Sequence, residues 1–221
     1  MKRLTLICGH YGSGKTNIAL NYALSLKREE GAVTVADLDI VNPYFRTKDS
    51  RTELEEAGIR LICSEYANTN VDIPALPPEL YSITHDKNHR VVLDIGGDDR
   101  GAYALGRFVD AIKAENNYSM VFVANCYRPL TRDVDSTIEI MREIENACKL
   151  NFTCIVNNSH LGEYTTAETV TDSFPYIEEL CKKTGLPLFM HTAVKEVADK
   201  LTGVPVMAMT LQKKYFDIPK V

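Results

Sequence analysis

Short runs rich in Val, Ile and Leu punctuate the chain at 3–8 (RLTLIC), 32–37 (AVTVAD), 59–63 (IRLIC), 90–95 (RVVLDI), 119–125 (SMVFVAN), 152–157 (FTCIVN) and 186–190 (LPLFM). None alternates strictly between apolar and polar positions, as expected of strands covered on both faces. Between them lie stretches with helical spacing at 15–30, 50–57, 100–115, 131–149 and 165–184. In the first, Ile18, Leu20, Ala23, Leu24 and Leu26 give a helix an apolar side. The rhythm predicts an α/β fold: a three-layer, mostly parallel, seven-stranded sheet with helices on both faces. The proline-bearing stretch 71–82 (VDIPALPPELYS) reads as a loop or a short helix. No repeat, low-complexity tract or linker interrupts the pattern, so residues 1–221 are expected to form one domain with a sizeable core.

The junction of the first strand and the first helix carries the clearest chemistry. Residues 9–16 read GHYGSGKT, in which Gly9, Gly14, Lys15 and Thr16 satisfy G-x-x-x-x-G-K-[ST]. Glycines at these positions let backbone N–H groups turn inward around phosphate oxygens, and the helix start adds the positive end of its dipole. His10, Tyr11, Gly12, Ser13 and Asn17 fill the rest of the cradle, Lys15 adds charge, and the Thr16 hydroxyl is placed to reach a magnesium ion. A plain glycine-rich helix cap needs neither the lysine nor this spacing.

Two acidic clusters follow later strands. Asp37 and Asp39 stand in ADLDIVNPYFR, and Asp94, Asp98 and Asp99 in VVLDIGGDDRGA. In an open parallel sheet the ligand crevice lies beyond the carboxyl ends of the strands, so both clusters point towards the phosphates. Asp94 suits the carboxylate that supports a magnesium ion held by Thr16, and Gly96 and Gly97 allow close backbone approach to a terminal phosphate. A strand-end aspartate that merely caps the next helix is the plainer alternative for each.

Taken together, strand–GHYGSGKT–helix, VADLDIVNP and VVLDIGGDD resemble the MinD/ParA/CobQ group of P-loop ATPases, which includes the nitrogenase iron protein. The order of elements agrees over most of the chain, with motif likeness concentrated in residues 4–47 and 90–101. The resemblance implies MgATP as ligand and slow hydrolysis. It places Asp39 beside the attacking water and near the metal, Lys15 among the catalytic groups, and Asn157 of CIVNNS, with Asn158 beside it, at the adenine. Asparagine offers both a donor and an acceptor to that base, and no TKxD- or NKxD-like guanine motif stands there.

One departure is pronounced. Where the group commonly carries a lysine that reaches the phosphates of a dimer partner, this chain has His10, followed by Tyr11 in place of glycine. Histidine is mostly neutral at pH 7, which leaves Arg46, Arg100 and Arg107 as other candidate cations. Arg128 in YRPLTRD is a candidate to line the crevice. An ATP-dependent homodimer and a protein partner at residues 40–48, where Tyr44 and Phe45 follow Asp39, remain candidates.

Charge and composition narrow the field. A net charge of -5 and a pI near 5.6 give no electrostatic case for nucleic acid. Apolar content of 45% with a mean hydropathy of -0.16 and no long apolar run argues against a membrane protein. The apolar run of MKRLTLICGH is too short for a signal peptide and leads into glycines, so a cytoplasmic protein is expected. The six cysteines lack a C-x-x-C pair, and the five histidines show no zinc spacing. No cysteine follows DIGGDD, which disfavours the bridging iron–sulfur cluster of the iron protein. Two functions fit what is left: a switch whose nucleotide state alters self-association or partner binding, and an ATP-dependent small-molecule enzyme resembling dethiobiotin or cobyrinic acid synthases.

Overall fold

The computed structural model describes residues 2–29, 31–38, 50–63, 78–96 and 105–212. The predicted runs form β1 (Leu4–Cys8), β2 (Ala32–Leu38), β3 (Arg60–Ile62), β4 (His89–Ile95), β5 (Tyr118–Ala124), β6 (Cys154–Asn157) and β7 (Leu188–Val194), and β8 (Val206–Met209) joins them. The eight strands make one sheet in the order β3-β2-β4-β1-β5-β6-β7-β8, with every neighbouring pair parallel. Parallel neighbours require crossovers, and those crossovers put helices on both faces.

The period of two along each strand divides the core. Leu4, Leu6 and Cys8 of β1, with Leu93 and Ile95 of β4 and Phe122 of β5, pack under α4 (Val109–Glu115), α5 (Val134–Cys148) and α7 (Phe174–Thr184). Ile7, Val92, Val121 and Val123 face the other way, against Ile18, Ala19, Ala23 and Leu26 of α1 (Lys15–Arg28) and Leu54 of α2 (Arg51–Glu56). Shorter helices are α3 (Ser82–His85), α6 (Ala167–Thr171) and α8 (Lys195–Ala198). No helix among the described residues is long and apolar enough to cross a membrane.

Two departures from the expected pattern have a clear physical reason. The eighth strand was hidden because VMAM is only four residues long and lacks the β-branched density of its neighbours, yet it pairs with β7 from His191↔Val206 to Val194↔Met209. The single helix expected over 165–184 is two, α6 and α7. Ser173 lies between them and its hydroxyl donates to the Val170 carbonyl at 2.6 Å, while Pro175 occupies the first turn of α7, where its missing N–H costs nothing. Of 71–82, residues 78–81 form a 3-10 turn leading into α3, and 71–77 lie outside the described residues.

The end of the sheet opposite the glycine loop is fastened by one buried arginine. Arg3 donates to the carbonyls of Ile83 (2.9 Å), Asp86 (3.2 Å) and His89 (3.3 Å) and pairs with the Glu115 carboxylate. It thereby ties β1 to the start of β4 and the end of α4. The hydrogen bonds from Arg3 hold the Glu115 carboxyl below its ordinary value of 4.5. The pair's contribution to stability is therefore complete above that value and is lost as pH falls through the lowered one. Replacing Glu115 with Gln leaves the guanidinium without its counter-charge, and chemical denaturation at neutral pH is expected to show a loss of about 2 kcal/mol.

Candidate functional site

At the carboxyl end of β1 the chain passes through Gly9, Gly12 and Gly14, all at positive φ (154°, 75° and 90°), before α1 begins at Lys15. Gly14 has no room for a side chain: a Cβ there would lie 2.2 Å from the Asn158 amide nitrogen. The first turn of α1 contains no acidic residue, and Lys27 and Arg28 occupy its last turn. The positive end of the helix dipole is thus left open towards the loop.

Within the loop, the Ser13 N–H (3.2 Å) and the Lys15 amine (3.3 Å) both donate to the His10 carbonyl. Lys15 and Thr16 are buried, although both are polar, because they sit at the base of the cradle. His10 donates from Nδ1 to the Tyr11 carbonyl at 3.1 Å, and the Tyr11 ring is 56% exposed. The Asn17 side chain accepts from the Gln212 N–H at 2.9 Å, which anchors the segment following β8 on α1.

Asp94 is fully buried near the end of β4, in register with Ile7 of β1 and Asp37 of β2. Alternation along β4 puts it on the same face as Val92, the face covered by α1 and hence by Thr16. The charges of Lys15 and Asp94 both act on Cys8 at the end of β1. Thr16 and Asp94 are hard oxygen donors and fit magnesium. Among the described residues no group of three or more His, Cys, Asp or Glu side chains is gathered. Asp39, Arg46, Arg100, Asp98, Asp99 and the segment 40–48 lie outside the described residues. Arg107 is described and exposed.

The ends of β5 and β6 supply groups to the loop from behind. Asn157 is fully buried, with its amide donating to Ser173 Oγ (2.8 Å) and His191 Nδ1 (2.9 Å) and its oxygen accepting from the Ser159 N–H (3.1 Å). Its side chain thus braces the end of β6 from within. Asn158 turns the other way: its amide donates to the Ser13 carbonyl at 2.6 Å, and its oxygen accepts from Thr192 Oγ1 at 2.7 Å. Arg128, after β5, donates from Nε to the Gly12 carbonyl at 2.9 Å.

Two further residues here escaped the sequence patterns, Asn125 and His160. Asn125 follows β5 fully buried, and its oxygen accepts from the Tyr127 N–H at 3.0 Å and the His160 N–H at 3.4 Å, joining the two loops. The His160 ring lies 3.7 Å from the Cβ position of Gly14. The signal was a polar side chain at the end of an apolar run for Asn125, and three residues past one for His160, at the edge where ligands bind.

No protein-family model and no curated protein sequence matches this chain. Solved structures do. The cell division protein FtsY from Thermotoga maritima superposes with a TM-score of 0.60 at 15% identity, covering 87% of this chain and 62% of its own. FtsY from the chloroplast of Physcomitrella patens gives 0.59 at 15% identity, over 86% and 58%. A nucleotide-binding protein from Archaeoglobus fulgidus, in complex with ADP, gives 0.50 at 12% identity, over 86% and 80%. This chain has the P-loop NTPase fold. At such identities the likeness is one of fold, and it points to P-loop proteins at large and not to the MinD/ParA/CobQ group in particular. The chain spans under two thirds of the FtsY chains it matches.

Burial, reinforced by the charge of Arg128, pushes the His160 imidazole down to about 4, so it stays neutral beside the loop. A lowered value in the folded state means that its contribution to stability is complete above the ordinary value near ~6.5. That contribution is lost as pH falls towards about 4. The thermal midpoint is expected to decline over that interval, and His160→Gln to flatten the decline above about pH 5, before the carboxylates titrate. Identical slopes for the two proteins would show that His160 is not held neutral.

Proposed function

We propose that this protein binds MgATP at the loop 9–17, hydrolyses it slowly, and acts as a nucleotide-dependent switch on self-association or partner binding. The observation that carries the reading is the burial of Lys15 and Thr16 behind a left-handed glycine turn, with the Asp94 carboxylate buried on the adjoining strand facing the same helix. Lysine, hydroxyl and carboxylate gathered at the edge where an open parallel sheet takes its ligands match the chemistry of a magnesium–phosphate ligand.

In this reading the inward N–H groups and Lys15 bind the phosphates, and Thr16 and Asp94 hold the magnesium ion directly and through its waters. The ion, when bound, neutralises charge on the terminal phosphates. Asp39 is assigned to orienting the attacking water and to the outer metal shell, and residues 40–48 to contact with a partner. Adenine is assigned to the segment that begins at Asn157. Two facts favour adenine over guanine: NNSHL offers no acidic residue to a guanine edge, and the similar nucleotide-binding protein from Archaeoglobus fulgidus is in complex with ADP.

Titration calorimetry with MgATP tests the binding, and Lys15→Ala is expected to weaken it at least about tenfold, since a charge-assisted contact is worth roughly 1.5 to 3 kcal/mol. Undiminished affinity in that variant would sink the phosphate-loop assignment. Turnover is tested in Asp39→Asn, which is expected to bind nearly as wild type while hydrolysing more slowly, because the group acts on the water and not on bound phosphate. Hydrolysis by the wild type without any added metabolite supports the switch; strict dependence on a metabolite would transfer the assignment to a small-molecule enzyme.

A further inference from the structure

The phosphate loop is gripped on its outer side as well as its inner one. Two successive carbonyls, Gly12 and Ser13, accept hydrogen bonds from side chains of two different strand-end loops, Arg128 Nε at 2.9 Å and Asn158 Nδ2 at 2.6 Å. The guanidinium lies close to Gly12, with Nε 3.6 Å and Cζ 4.0 Å from the position a Cβ would take there. Its terminal nitrogens make no hydrogen bond among the described residues.

Arg128 is held in place by its own loop. Its N–H donates to the Asn125 carbonyl at 3.2 Å, its carbonyl accepts from the Thr131 N–H at 3.1 Å, and Thr131 Oγ1 returns to the Asn125 carbonyl at 2.7 Å. Asn125 is fully buried and closes the same turn through the Tyr127 N–H. A guanidinium on so constrained a backbone loses little further freedom when an anion arrives.

Besides Lys15 at the base of the loop, the side chains nearest this charge are imidazoles. His10 stands where a cation is expected, and its Nδ1 proton is given to the Tyr11 carbonyl. His160 is kept uncharged partly by Arg128 itself, so the guanidinium's field is felt across the mouth of the loop.

We infer that Arg128 is a positioning residue for phosphate: it fixes the Gly12–Ser13 peptide and supplies, from within the chain, positive charge that His10 does not. The effect has two parts. A cationic donor on the Gly12 carbonyl polarises that peptide and strengthens the bond by which the Ser13 N–H closes the loop onto the His10 carbonyl. The charge itself lies one peptide unit behind the cradle, within the range over which a partly buried charge is weakly screened. Asn158 grips the adjacent carbonyl without charge and provides the neutral comparison. The inference rests on the reading of residues 9–17 as a nucleotide site.

The test is calorimetric binding of MgATP, MgADP and inorganic pyrophosphate, across a salt series, to wild type, Arg128→Gln, Arg128→Lys and Asn158→Ala, each first checked for a native circular dichroism spectrum at the assay temperature. Arg128→Gln keeps a donor but removes the charge. It is expected to lose about tenfold in affinity for all three ligands and to show a shallower salt dependence, with Arg128→Lys recovering part of both. Asn158→Ala is expected to weaken binding with the salt dependence unchanged. Wild-type affinity and salt dependence in Arg128→Gln would overturn the inference and reduce Arg128 to a neutral brace. Losses confined to MgATP and MgADP, with pyrophosphate spared, would also overturn it, by placing Arg128 at the base. Wild type that binds none of the three ligands would instead remove the nucleotide site itself.

Discussion

The geometry of the site depends on one close approach, Gly14 against Asn158. The space in which a Cβ would sit at Gly14 is taken by the Asn158 amide, and that asparagine is fixed at its other end by Thr192 of β7. The loop between β1 and α1 is therefore referenced to strands two and three positions away in the sheet. Any change that shifts β6 or β7 must carry the phosphate loop with it or break a 2.6 Å hydrogen bond whose partners are buried. In water such a bond is worth little; at a buried position its loss leaves a polar group unpaired, at a cost of about 1–3 kcal/mol. Packing on the far face reinforces this, since the His191 ring lies 4.2 Å from Phe174 and accepts from Asn157, keeping the end of β6 flush with β7.

The parallel arrangement decides where charge collects. All strands end at the same edge, so the polar residues that terminate them (Asp37 of β2, Asp94 of β4, Asn125 after β5, Asn157 and Asn158 at β6) converge there although they are widely separated in sequence. Each is buried, so each must find a partner. The Asn125 oxygen and the Asn157 and Asn158 amides find theirs in neighbouring backbone and side chains, and Asp37 and Asp94 are partnered as well. Lys15 and Thr16 reach the same edge from the start of α1, whose dipole also points there. The opposite edge has a different logic: a single Arg3 satisfies three carbonyls and one carboxylate and has no open side.

What could be read in advance follows from how local each signal is. The spacing of Gly9, Gly14, Lys15 and Thr16 is a property of eight consecutive residues, and the apolar runs are properties of five to seven, so loop and central strands were legible. The eighth strand was not, because VMAM becomes a strand only when His191–Val194 is there to pair with it. The break between α6 and α7 was carried by Ser173 and Pro175, a local signal outweighed by the apolar period on either side. Asn157 and Asn158 illustrate the limit most sharply. They are chemically identical and adjacent, and only the pleat of β6 decides that one turns towards Ser173 and His191 and the other towards Ser13. Arg128 was visible as a cation near a strand end, but its bond to Gly12 joins residues far apart in sequence and leaves no mark on the spacing of either.

The substitution at His10 takes on a definite meaning in this setting. A lysine there would present a long, strongly hydrated charge outward from the loop; His10 turns its proton back onto the Tyr11 carbonyl, and the Tyr11 ring stands 56% exposed over the same rim. The rim thus carries an exposed aromatic ring, while Lys15 lies buried in the loop and Arg128 holds the Gly12 carbonyl from behind. On the proposed reading, charge supplied from within lets one chain bind phosphate without a cation from a second. The exposed aromatic ring then leaves the rim suited to contacts governed by shape and apolar area, which respond little to salt. Nucleotide binding by this loop is accordingly expected to be sensitive to ionic strength, and association at its rim much less so, which separates the two steps that a lysine at position 10 would have coupled.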